Sequence, residues 1–226
     1  MVTSSFGGGL VSGDAISLDL TVRDGASALL TTQASTKVYR GDSGSSQLTR
    51  LAVEREALAV CIPDHLVCFD RSRFEQRAEI SLSDGSSALV WLDIQAAGRT
   101  ARGERWDLSR LSTVLEIQRG GALLLRDALV LDQAHGDLRA RMGRFDALGT
   151  LVLLGARLSG ASSRLLAERA PPRRADPVVS GASALGGEGV MLRFAGSTVA
   201  SALAFARTRL SFLLELLGSD PWARRW

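Results

Sequence analysis

Apolar and polar side chains alternate along much of this chain. Ile16, Leu18, Leu20 and Val22 share one parity, and the two-residue spacing returns in Ala78, Ile80 and Leu82, in Leu115 and Ile117, in Leu123 and Leu125, in Leu129 and Leu131, and in Val190, Leu192 and Phe194. Period two marks strands with one buried face, so the pattern predicts a β-rich chain. Asp24-Gly25, Gly41-Asp42, Asp84-Gly85 and Gly120-Gly121 separate the runs with residues that turn the chain at little steric cost. Ala88 to Ile94 and Thr150 to Leu154 carry apolar residues on both faces, as in strands covered on both sides. Stacked sheets follow, as a sandwich or as a solenoid; no fixed short repeat separates the two.

The period changes near the end. Val199, Leu203, Ala206, Leu210, Leu213, Leu214 and Leu217 step by three and four after Ser197 and before Gly218 and Pro221. This spacing predicts one helix over about 197–217, capped by Ser197, with one face on the body. Phe205, Phe212 and Leu216 lie partly off that stripe, either through deeper burial or as a partner's docking surface. The proline-rich segment 170–177 reads as an exposed loop.

At 226 residues the chain is long enough for one domain, 1–226, with a sizeable core. The formal charge of +3, spread along the chain, excludes the concentrated basic stripe of a nucleic-acid protein. The first residues lack a secretory pattern and no apolar run spans a bilayer, so a cytoplasmic protein with no membrane contact is expected. Cys61 and Cys68 are then expected as thiols.

Candidate chemistry is sparse. The glycines at 7, 8, 9 and 13 precede a strand instead of following one, the wrong setting for a phosphate cradle. No serine sits in a Gly-x-Ser-x-Gly elbow, and only His65 and His135 are available as bases. Cys61, Asp64, His65 and Cys68 form the most metal-like grouping, to be weighed against ordinary buried cysteines. Asp14, Asp19, Asp93, Glu104, Glu116 and Asp127 stand within or beside apolar runs. On an outer face they would be solvated; inside a solenoid they would face one another across a wet channel and hold a divalent ion weakly.

Read in order, several blocks resemble one family. They are Gly7-Gly8-Gly9-Leu10-Val11-Ser12-Gly13-Asp14, the stretch from Leu29 to Arg40, Pro63-Asp64, Cys68-Phe69, Arg73-Phe74-x-Gln76-Arg77, Gly98-Arg99-x-Ala101-Arg102-Gly103-Glu104, Leu192-Arg193-Phe194 and Leu216-Leu217-Gly218-x-Asp220-Pro221-Trp222. Together they are similar to the urease accessory proteins called UreD or UreH. That resemblance implies a mainly β fold, a β-solenoid-like stack of sheets with helices near the C-terminus. It implies a non-catalytic maturation factor with no cofactor of its own and nickel in transit. The implied partners are a helical UreF-like protein, a UreG-like GTPase and apo-urease, and a dimer of the complex is an expectation of the same resemblance. The family's proposed internal tunnel would carry the nickel.

Carried over position by position, the motif falls on Gly7, Gly8, Gly9, Gly13, Asp14, Thr31, Thr32, Lys37, Tyr39 and Arg40. Asp14 leads as a carboxylate for the passage, against the plainer role of a turn residue. Two departures stand out: Pro63-Asp64 is followed by His65 where the family often has proline, and six residues precede the glycine block where the family places its first strands. The competing classes are a generic β-rich interaction or carbohydrate-binding module, for which aromatic platforms are few, and an unrecognised hydrolase.

Overall fold

The computed structural model describes residues 1–4, 8–168, 173–187 and 189–223. Gly7 of the motif and the Pro171-Pro172 pair of the expected loop lie outside the described residues. The chain runs through β1 (Val2–Thr3), β2 (Ala15–Val22), β3 (Ser27–Thr32), β4 (Thr36–Val38), β5 (Ser45–Val53), β6 (Leu58–Cys61), β7 (Leu66–Cys68), β8 (Arg73–Leu82), β9 (Ala88–Ala96), β10 (Arg110–Arg119) and β11 (Ala122–Asp132). Then come α1 (Leu138–Met142), β12 (Ala147–Leu154), α2 (Ser159–Ala167), β13 (Val178–Leu185), β14 (Gly189–Gly196), α3 (Val199–Arg209) and α4 (Leu213–Leu217).

The strands form two mixed sheets. One holds β11, β10, β8, β5 and β2 in that spatial order; the other follows β1, β3, β6, β9, β12, β14 and β13, with β4 and β7 extending it beside β9. From β2 to β10 the chain passes repeatedly from one sheet to the other and pairs in parallel with a strand roughly thirty residues on, Ala15 opposite Ser46, Ser27 opposite Leu58 and Leu58 opposite Ala88. A tight Gly120-Gly121 hairpin, with both glycines at positive φ, then reverses β11 against β10. β12 and β14 close the larger sheet by antiparallel pairing, β12 on β9 and β14 on β12.

Strands β9 and β12 are apolar at nearly every position because they are covered on both sides. Leu92, Ile94, Leu151 and Leu153 meet α2, α3 and α4 through Leu165, Ala202, Ala206, Leu210 and Leu213. Leu89, Trp91, Val152 and Leu154 turn the other way and pack on Leu51, Ile80, Leu115 and Ile117 of the smaller sheet. A separate cluster around Leu10, Phe74, Trp106 and Leu111 fills the opposite end of the space between the sheets. The smaller sheet's far face is solvated and carries charges that meet across the strands: Arg50 bridges Asp19 and Glu79, Arg77 bridges Glu79 and Glu116, and Arg126 joins Glu116.

The C-terminal helical region differs from the single helix expected. It is two helices, broken at 210–212, and its cap is Thr198 instead of Ser197. Thr198 accepts from the Ser201 N–H at 3.0 Å while Ser201 Oγ accepts from the Thr198 N–H at 3.1 Å, a reciprocal capping box. No helix among the described residues is long and apolar enough to cross a membrane.

Candidate functional site

Alternation decides what enters the space between the sheets. On β8 the inward positions are Phe74, Gln76, Ala78, Ile80 and Leu82, and on β9 they include Leu89, Trp91, Asp93 and Gln95. Polar residues therefore interrupt both inward faces at one level. The register aligns them: Gln47, Gln76 and Thr113 stand side by side across β5, β8 and β10, and Asp93, Thr150 and Arg193 do so across β9, β12 and β14. A cavity of about 180 Å³ opens there, lined by Gln76, Asp93, Gln95, Thr113, Asp127 and Thr150 among apolar neighbours such as Trp91 and Leu115.

Asp93 is densely surrounded by protein yet keeps a solvent-accessible face. Its carboxylate accepts from Gln76 Nε2 at 3.5 Å, and no ion pair involves it among the described residues. Burial pushes its pKa up to about 6, opposed by hydrogen bonds from the Ile94 N–H and the Gln76 and Gln95 side chains, while the charge of Asp127 adds to the rise. Asp127 projects from β11 of the smaller sheet and is ion-paired with Arg193 of the larger one.

The motif blocks converge elsewhere, at one end of the sheets. The Leu10 N–H donates to the Lys37 carbonyl at 2.7 Å and the Tyr39 N–H donates to the Leu10 carbonyl at 2.9 Å, which seats the glycine block on the Lys37-Tyr39 block. A Cβ on Gly9 would stand 2.5 Å from that Lys37 oxygen, so the approach requires glycine. Gly8 and Gly13 hold positive φ in open space. Asp14 accepts from the Val11 N–H at 2.8 Å, a turn contact, and lies away from the cavity. Thr31 donates to the Ile62 carbonyl at 3.0 Å, and Thr32 Oγ1 accepts from the Asp64 N–H at 2.8 Å, so this pair fixes the neighbouring 62–64 segment. Tyr39 meets Phe69 edge to face, Arg99 lies over the same ring and pairs with Glu104, and Arg40 bridges to Ser72.

Cys61, Asp64, His65 and Cys68 do not converge. Cys61 is buried in the cluster around Trp91 and Cys68 in the one around Trp106, and no three His, Cys, Asp or Glu side chains gather as a metal site among the described residues. Burial pushes both thiols up to about 12, so neither offers a thiolate near neutrality. Phe205, Phe212 and Leu216 pack on the helix-side core, Phe205 5.0 Å from the Phe194 ring; the exposed apolar residue of that region is Leu214. Of the six acids singled out, Asp93 and Asp127 enter the cavity; Asp19 and Glu116 belong to the outer charge ladder, and Glu104 is held by Arg99.

Gln76, Gln95, Thr113, Thr150 and Arg193 were not distinguished as site residues by sequence reasoning. Gln76 and Thr113 interrupt apolar alternations and Gln95 and Thr150 border apolar runs, whereas Arg193 lies off the alternation of its strand; only the register places them at a common level.

The model of the family described as UreD urease accessory protein matches residues 1–226. The chain belongs to this family. The urease accessory protein UreD of Sorangium cellulosum is 50% identical over 99% of this chain and 71% of its own length. That of Anaeromyxobacter is 40% identical over 99% of the chain and 76% of its own length, and the urease accessory protein D of Arabidopsis thaliana is 32% identical over 97% and 84%. Membership of the UreD family supports a role in urease maturation.

Proposed function

We propose that the protein is a non-catalytic scaffold for nickel insertion into apo-urease, joining a UreF-like protein and a UreG-like GTPase to urease in the cytoplasm, and that nickel in transit passes through the space between its sheets. The alternation of parallel strands between two sheets supports reading the body as solenoid-like, with a path running between its walls. The observation that carries the conduit is Asp93, a carboxylate without an ion-pair partner among the described residues, set at the one polar level between two apolar clusters and beside Asp127. Placing a charge there is costly, and nothing in the packing of Trp91 and Leu115 calls for it.

The donor set suits passage. Carboxylates, amide carbonyls and hydroxyls bind a divalent first-row ion as hard ligands, whereas thiolates would retain it. The protonated thiols of Cys61 and Cys68 lie in the apolar clusters, away from the cavity lining. Asp14, whose Oδ2 holds the turn through the Val11 N–H, is assigned to the scaffold in this reading.

The test is Asp93→Asn, which keeps shape and removes the charge. In a reconstituted activation assay with apo-urease, the other accessory proteins, GTP and nickel, the variant should assemble normally and activate urease about tenfold less, the scale on which losing one charged ligand weakens a metal path. Full activation by the assembled variant would refute the conduit.

A further inference from the structure

Arg193 and Asp127 stand at the cavity from opposite sheets. Asp127 is held inward, its side chain 12% exposed, while the Arg193 side chain is 64% exposed. β11 is an edge strand of its sheet and β14 lies one strand from the edge of the other, so the pair spans the open side of the stack. Asp93 lines the same cavity with no such partner among the described residues.

We propose that Arg193 is the gate of this cavity, a tethered cation that occupies Asp127 until a divalent ion takes its place. The inference rests on the conduit reading given above and adds the residue that selects what enters. A guanidinium stays protonated at any physiological pH, so the plug is always charged. While it holds Asp127 it fills that carboxylate and repels free cations from the mouth. Because most of the arginine side chain already lies in water, it can swing aside with little desolvation when another cation binds. The exchange replaces one cation by another on the same carboxylate and needs no further reactant.

A gate and a mere tie between sheets differ in charge selectivity. The probe is a thiol in the cavity, Thr150→Cys, with Thr113→Cys on the facing sheet as a second reporter; Cys61 and Cys68 are buried and protonated. Its rate of modification is measured with methanethiosulfonates of similar size carrying either a trimethylammonium or a sulfonate group. Arg193→Gln should speed the cationic reagent by about tenfold or more and leave the anionic one unchanged or slower, the size expected when a charge at a narrow mouth is removed. Arg193→Lys should stay close to the parent. Equal acceleration of both reagents would show a loosened structure and overturn the gate, as would unchanged rates or thiols that remain unreactive in both reporters. Normal activation by Asp93→Asn would refute the conduit while leaving the reagent selectivity to report on the gate alone.

Discussion

Asp93 concentrates the tension between fold and function in one side chain. An aspartate has a pKa near 3.9 in an unfolded chain, and burial raises this one to about 6. The folded state therefore binds the proton more tightly, and its stability is greatest below pH 4 as far as this group is concerned. That contribution is lost as pH rises through 6, leaving a penalty on the order of 1–3 kcal/mol at neutrality. Asp93→Asn should consequently raise the melting temperature at pH 7.5 and have little effect at pH 4, while impairing activation. Thermal denaturation at the two pH values checks this; equal effects at both would exclude charge burial as the cause. The sequence shows Asp93 and Gln95 as polar breaks in an apolar run, and the carboxylate was legible as a candidate. It does not show that Gln76, Thr113 and Thr150 share its level, because cross-strand register depends on turn lengths between strands far apart in the chain. Asp14 stands in a conspicuous block, and the structure gives it a turn contact, its Oδ2 accepting from the Val11 N–H.

Among the elements, most long strands were legible, although β5 and β13, nine and eight residues long, were not. β2, β8, β10, β11 and β14 follow their alternation, and β9 and β12 follow their two-sided apolar runs. Short strands such as β4 and β7 escaped, since three residues cannot establish a period. The terminal helix was legible in kind but not in extent. Continuous apolar spacing from 199 to 217 hides the break at 210–212, where Leu210 and Leu213 are both buried and the chain re-aims to keep them so. Ser197 and Thr198 are equally good caps by composition, and only Thr198 has Ser201 three residues on to answer it. Thr198→Ala should cost about 1 kcal/mol in urea denaturation, and Ser197→Ala much less. Equal costs would mean that the cap is not what starts α3.

For the whole molecule, family membership, stacked sheets and an apolar middle layer were all within reach of the sequence. The inter-sheet cavity was not, because it arises where two faces meet. The order in which the larger sheet closes has a further consequence on the ribosome. β9 ends at Ala96 and its neighbour β12 begins at Ala147, so at about 5–20 residues per second the nascent chain waits several seconds with an uncovered, doubly apolar strand. A naked edge of that kind recruits other chains. A chain ended at Asp146 should accordingly sediment as aggregate, whereas one ended after α4 should remain measurably more dispersed. A holdase that shields the ninth strand during those seconds should raise the yield of the intact protein.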